Sequence, residues 1–369
     1  MKRYKKRIQS LEEEDEKEEL LQIAARNPKW QNLPTDFKQA CLHFKVRSKE
    51  GNVALKLFPF QEAINHLIDT KQNIYIIKSR QTTCSTLALA KVLHQSVIRD
   101  GLNNAFFGVD LPSASQLSDR TKFQILSAGD DIIKLSNPKD NISKSKINFP
   151  NNSQINFRGG YSKDNARGLE ALSYVVLDEM QSHKFLEPLI TAVSPAQTVM
   201  GELAKTIGIA TPKSPSGFYY DLMNEIAGGQ LQENCHAIAT GELYSKDFGI
   251  PGLYYQEDKN DPNTVLIYVH FFASPFCNHI PRDEYLQSRR QKDRISDSKV
   301  QQEYNLSFED EDETFIAPDL IHKAMSGQRE TEHDPNCRHY CGIDSSGVTD
   351  ELRPDGTKND SDFTSACVI

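Results

Sequence analysis

The sequence predicts an α/β protein built on a mostly parallel sheet with helices on both faces. Short, continuous apolar runs recur along the chain (Ile74–Ile77, Ala105–Val109, Tyr174–Leu177, Ile207–Ala210). Strands covered on both faces read this way, because neither face can show polar side chains to water. Stretches of helical periodicity separate these runs, the pattern of a doubly wound sheet. Two of the runs also end in chemically loaded residues: Lys78–Thr86 follows the first, and Asp178-Glu179 closes the third.

The elements follow in order. Residues 1–29 read as a charged helix, a basic cluster followed by the acidic run Glu12–Glu19, and such a segment is a solvated face or arm. A short strand is expected at Leu42–Val46. Phe58-Pro59-Phe60-Gln61 leads into a helix with apolar positions Ala63, Ile64, Leu67 and Ile68. Leu87–Val97 is the next helix. Ile147–Phe149 and Ile155–Phe157 flank Pro150-Asn151-Asn152, a hairpin signal. Val265–Phe272 reads as the last long strand and Asp283–Tyr304 as one charged helix. After the acidic break Glu309–Glu313, Tyr340–Asp344 reads as a strand that opens a second domain. The division expected is a charged N-terminal helical segment (1–50), an α/β domain (51–325), and a linker with the first strands of another domain (326–369).

With 369 residues, 38% hydrophobic and 25% charged, the chain is long enough for a large core and ordinary for a soluble protein. No apolar run approaches the roughly 18 residues of a membrane span. No apolar stretch follows Lys2, Arg3, Lys5, Lys6 and Arg7, so the N-terminus is not a secretory signal. The 7 cysteines form no CxxC and no paired framework, which fits free thiols in a reducing compartment. Cys337, His339 and Cys341 alternate without a fourth ligand nearby, so they read as an extended segment and not as zinc ligands. The net charge of −8 gives no support for nucleic-acid binding, which would need a local basic surface.

A buried strand running into a polar loop and a helix is the setting of a phosphate loop, where backbone N–H groups and a lysine hold the anion. The loop here is Lys78-Ser79-Arg80-Gln81-Thr82-Thr83-Cys84-Ser85-Thr86. In the standard pattern GxxxxGK[ST], the lysine slot holds Cys84 and the last glycine slot Thr83. Lys78, at the strand end, supplies the charge instead, Arg80 adds a second cation, and Ser85 or Thr86 offers a hydroxyl to Mg²⁺. Asp178 is placed to hold Mg²⁺ through water, and Glu179 to polarise the attacking water as a general base.

These residues resemble the large terminase subunit of tailed bacteriophages, from about Phe58 to the C-terminus. In that family the loop lysine is often moved to the start, in a pattern like KxRQxGxST, which Lys78, Arg80, Gln81, Ser85 and Thr86 match. The resemblance implies a P-loop fold of the ASCE type that binds ATP and Mg²⁺. It implies that Gln61 reads the adenine, that Arg167 in Asn165-Ala166-Arg167-Gly168 is an arginine finger, and that Thr211 senses the γ-phosphate. It further implies an RNase H-like nuclease after the ATPase, with Asp344 and Asp362 as ligands of divalent metals. The strands so expected stop at Ile369, so nuclease activity is expected only if the missing C-terminal part is supplied. The implied function is a motor that packages double-stranded DNA, with a portal protein, a small terminase subunit and a homo-oligomeric ring as partners. The implied setting is the cytoplasm of an infected bacterial host, away from any membrane. Two other readings stay open. One is a helicase-like DNA-dependent ATPase, although no run of helicase motifs follows Thr211-Pro212. The other is an inactive prophage remnant with a role in assembly only.

Overall fold

The computed structural model describes residues 30–135, 141–160, 168–309, 341–344 and 365–368. Two units divide the chain, Met1–Glu311 and Asp312–Ile369.

The first unit runs α1 (Phe37–Cys41), β1 (Lys45–Ser48), β2 (Gly51–Ala54), α2 (Pro59–Thr70), β3 (Asn73–Lys78), α3 (Cys84–Ile98), β4 (Asn103–Gly108), α4 (Leu111–Ala128), β5 (Lys146–Asn148), β6 (Gln154–Gly159) and β7 (Leu172–Asp178). It continues through α5 (Leu186–Thr198), β8 (Lys205–Ala210), α6 (Phe218–Ile226), α7 (Leu231–Thr240), β9 (Leu253–Glu257), β10 (Thr264–Val269), α8 (Arg282–Asp293) and α9 (Asp297–Tyr304). Eight strands form one sheet in the order β5-β6-β4-β7-β8-β3-β10-β9. The pairs from β6 through β10 are parallel, and only the outer pairs β5–β6 and β10–β9 are antiparallel.

The two faces of the sheet divide each strand by its period of two. Ile74 and Ile76, Phe106, Val176, Ile207 and Ile209, and Val265 and Ile267 face a core closed by α2, α3 and α4. Tyr75 and Ile77, Ala105 and Phe107, Val175 and Leu177, and Leu266 and Tyr268 face a second core under α5, α6 and α7. This sandwich explains why the strands read as unbroken apolar runs: every position has a helix above or below it. The helix after β3 is covered almost all round. Lys91 on α3 is buried there, with its ammonium 2.6 Å from Asp69 and over the Phe37 ring, so the charge is paired rather than stranded.

β8 lies between β3 and β7. The loop after β3 and the acids that end β7 are therefore two strand spacings apart, about 10 Å. The end of β8 falls between them. This is the arrangement that lets one long side chain from β3 reach both neighbours.

The expected hairpin is present, with Ile147 opposite Ile155. Other expectations are corrected. The first strand starts at Lys45, not Leu42, and pairs with β2 as a ribbon whose residues are mostly exposed. The expected boundary at residue 50 runs through that ribbon, and Trp30, Leu33, Phe37 and Phe44 belong to the main core. β10 ends at Val269, because His270 turns the chain into a short 3-10 turn at Phe271–Ala273. The single helix expected over Asp283–Tyr304 is two. Arg294 takes a left-handed conformation that ends α8, and Ser296 caps α9 by accepting the Lys299 N–H. The second unit contains β11 (Cys341–Asp344) and β12 (Ser365–Val368), antiparallel with Asp344 opposite Ser365. The division between the units falls at Glu311/Asp312, earlier than residue 325. No helix among the described residues is long and apolar enough to cross a membrane.

Gly208, inside β8, is the point where the sheet admits the turn after β7. A Cβ there would sit 2.7 Å from Met180 Sδ and 2.8 Å from Tyr75 Cδ1. Overpacking of this kind costs about 1–3 kcal/mol. Gly208→Ala is therefore expected to lower the urea midpoint of unfolding without changing the slope. An unchanged midpoint would show that the Met180 contact is not tight.

Candidate active site

The site forms at the C-terminal ends of β3, β7 and β8, where open parallel sheets place ligands. Lys78 is the last residue of β3, and its side chain is 9% exposed. Its ammonium donates to Thr211 Oγ1 at 3.0 Å and lies 3.5 Å from Glu179 Oε1. The cation is thus held between the exits of the two neighbouring strands. Thr211 is buried, and Glu179 is about half exposed, so one face of the Lys78–Glu179 pair opens to solvent. A cleft of about 300 Å³ lies there, lined among others by Lys78, Arg80, Glu179, Thr211, Lys213 and Lys299.

Ser85, in the first turn of α3, donates to Asp178 Oδ1 at 2.6 Å. Burial pushes the Asp178 carboxyl above the usual carboxylate range, and the Ser85 hydrogen bond works against that shift. A hydroxyl and a carboxylate side by side form the oxygen donor set that suits Mg²⁺. The donor set therefore fits the Mg²⁺ expected from the sequence.

The loop is tethered from several directions. Ser79 N–H donates to Val269 O at 2.8 Å, and Ser79 Oγ donates to Tyr304 O at 2.6 Å. Arg80 N–H donates to Glu303 O at 2.6 Å, and the Arg80 guanidinium lies 3.4 Å from Glu303 Oε2. Thr82 Oγ1 donates to Ser79 O and lies 3.5 Å from Cys84 Sγ. Cys84 is buried, and burial raises its thiol pKa, so the usual lysine slot holds a neutral group. Gln81 and Thr83 both take positive φ, 67° and 58°. The loop therefore adopts the left-handed geometry that glycine would give, even with a β-branched residue in the slot.

Gln61 shows how this is supported. Its carbonyl accepts the Phe58 N–H at 3.0 Å, and its amide donates to Thr83 Oγ1 at 2.9 Å. Both ends of the side chain are engaged inside the protein, and it is 1% exposed. The structure thus makes Gln61 a brace between α2 and the loop after β3. Beyond the loop, a cleft of about 510 Å³ is lined by Gln81 and Thr82 together with Phe276, Tyr285 and Arg289. Phe276 is 70% exposed and meets Phe58 edge-on.

Three residues that the sequence reading passed over join the site. Arg120, from α4, donates to Thr86 Oγ1 at 2.5 Å and adds positive charge near Asp178. Gln181 donates to Glu179 Oε2 at 2.7 Å. His183 Nε2 lies 2.9 Å from the Asp178 carbonyl. Nothing in local sequence marks Arg120, which lies 34 residues beyond Thr86. Gln181 and His183 sit just after the acidic pair, so their place in sequence is the signal they carry. Arg167 and Asp362 lie outside the described residues, and of Asp344 only the backbone, in β11, is described.

Thr83 separates strain from hydrogen bonding. Thr83→Val keeps the branched shape at positive φ but removes the hydroxyl that accepts from Gln61 and donates to Thr82 O, a loss of about 1 kcal/mol for each bond. Thr83→Gly loses the same bonds but relieves left-handed strain of about 1–2 kcal/mol. In denaturant unfolding the glycine variant is expected near wild type and the valine variant clearly below it. Equal midpoints for valine and wild type would show that the Gln61 brace carries no weight.

No family model matches the chain, and no curated protein matches it in sequence. Solved structures do. The Thermus phage P74-26 large terminase ATPase domain is 17% identical with a TM-score of 0.47, over 68% of this chain and 93% of that one. The HK97 bacteriophage large terminase is 13% identical with a TM-score of 0.49, over 84% of this chain and 61% of that one. The large terminase of a thermophilic bacteriophage, in complex with ADP, is 10% identical with a TM-score of 0.43, over 67% of this chain and 52% of that one.

Proposed function

We propose that the chain is the ATP-hydrolysing subunit of a motor that packages double-stranded viral DNA. The observation that carries the ATPase reading is the position of Lys78, whose ammonium meets both Thr211 and Glu179 while Ser85 meets Asp178. One cation for phosphate, one hydroxyl–carboxylate pair for Mg²⁺, and one half-exposed carboxylate for water are the minimum set for phosphoryl transfer to water. In this reading Lys78, the loop amides of Gln81–Ser85 and the Arg80 guanidinium bind the phosphates of ATP. Ser85 and Asp178 hold Mg²⁺, Glu179 is the general base, and Thr211 senses the γ-phosphate. The base of the nucleotide lies beside Gln81 and Thr82, in the cleft of Phe276, Tyr285 and Arg289. Gln61 supports the loop from behind.

The motor half of the reading rests on the resemblance of the ordered motifs to large terminases. It brings with it Arg167 as the finger, a portal protein and small terminase subunit as partners, and a ring of copies of this chain. It also brings Asp344 and Asp362 as metal ligands of an RNase H-like nuclease, for which β11 and β12 supply an antiparallel pair.

ATP turnover, measured with double-stranded DNA present, tests the assignment. Glu179→Gln is expected to lower turnover by about 100-fold or more while nucleotide binding persists. Lys78→Ala is expected to lose binding and turnover together. Cys84→Ala is expected to stay active, because the thiol carries no charge. Loss of binding in Glu179→Gln, or loss of turnover in Cys84→Ala, would overturn the roles given to these residues. A wild-type chain that does not hydrolyse ATP with DNA and procapsid would overturn the motor reading.

A further inference from the structure

We infer that His183 is a positioning residue for the proposed hydrolysis: its imidazole fixes the left-handed turn that aims Glu179, and Gly160 exists to make room for it. The inference rests on the ATPase reading and assigns a role that the nucleotide contacts do not require.

Glu179 has φ 53° and ψ 47°, a conformation that L side chains avoid. A residue so placed persists only when its surroundings hold it. Three bonds do so here. Ser182 N–H donates to Glu179 O at 2.9 Å, and Gln181 Nε2 donates to the Glu179 carboxylate at 2.7 Å. The third is the imidazole, whose Nε2 lies 2.9 Å from the carbonyl of Asp178, the residue just before the turn. For that contact to be a hydrogen bond, Nε2 must carry the proton.

His183 is 6% exposed, and its place is set by a second strand. A Cβ at residue 160 would lie 1.9 Å from Nδ1 and 2.4 Å from Cε1 of the ring. No side chain fits there while the imidazole stays. Gly160 in turn donates to Gly108 O at the end of β4. The ring therefore wedges the turn after β7 against the exits of β6 and β4. Rotation of the Asp178–Glu179 peptide would break the Nε2 contact and move the carboxylate that faces water. A small displacement of a reacting group costs far more in turnover than in binding.

The test uses steady-state ATP hydrolysis by the full chain with double-stranded DNA, together with binding of a fluorescent ATP analogue. His183→Ala is expected to lower kcat by about tenfold or more, with KM and analogue affinity within about threefold of wild type. His183→Gln, whose Nε2–H reaches about as far as that of histidine, is expected to recover most of kcat. Gly160→Ala displaces the ring and should match His183→Ala. Added to His183→Ala, it should cost little more, because the collision with the ring is gone and only a 3.2 Å approach to Gly108 O remains.

Several results would overturn the inference. One is a His183→Ala enzyme with kcat within about twofold of wild type. Another is Gly160→Ala and His183→Ala losses that multiply. Should His183→Ala fail to fold, a folded His183→Gln that turns over as poorly as Glu179→Gln would also overturn it. Wild-type hydrolysis distinguishes this from failure of the ATPase reading. An active wild type with an indifferent His183 sinks the positioning role alone, and an inactive wild type removes both.

Discussion

The site depends on one buried ammonium. Lys78 ends β3 in an interior where an unpaired charge would be strongly unfavourable, and it is held because two neighbours meet it. Thr211 comes from the end of β8, which lies next to β3, and Glu179 follows β7, one strand further out. Neither contact forms unless β8 separates β3 from β7 and the strands end at the same level. The registers supply this: Ile77 pairs with Ala210, and Asp178 pairs with Ile209. The two cores fix the sheet in that register, because a shift of one residue would turn Ile76 and Ile209 toward the wrong helices.

That dependence explains why much of the fold was legible in the residues. A strand covered on both faces has no freedom to be polar, so β3, β4, β7, β8 and β10 appear as apolar runs. Elements without that constraint were missed or misplaced. The β1–β2 ribbon buries almost nothing, so Lys45, Arg47 and Asn52 carry no period to read. β9 pairs with β10 on one side only, at the sheet edge, and its half-covered residues Tyr254, Tyr255 and Gln256 resemble loop as much as strand. The break between α8 and α9 depends on the backbone of Arg294, a residue with good helix propensity and no local sign of a stop.

The site itself was legible in part for a different reason. Lys78, Ser85, Asp178, Glu179 and Thr211 stand at strand or helix ends, so naming the strands located them. The structure brings these together. The resemblance gives Gln61 a base-reading role, whereas in the structure its side-chain amide meets Phe58 and Thr83. The partner of a side-chain amide depends on what lies opposite it in space, which spacing along the chain does not reveal. Arg120 and Phe276 carry no sequence signal for the same reason, since each arrives from an element with no chemistry of its own.

Thr83 and Glu179 share a physical problem. Both hold positive φ without being glycine, one in the loop after β3 and one in the turn after β7. Glycine would relieve each turn, but it would also free the backbone to leave the conformation. A side chain at the same position provides a handle: Gln61 holds Thr83 through its hydroxyl, and Gln181 holds Glu179 through its carboxylate. The strain is thereby exchanged for position. At Glu179 the turn brings the carboxylate to 3.5 Å from the Lys78 ammonium. At Thr83 glycine was available, so the threonine reflects a loop held by its brace and not by backbone freedom. The same logic accounts for the lysine at the strand end. A cation on the regular, hydrogen-bonded end of β3 is better fixed than one on a loop that already spends two residues in left-handed geometry.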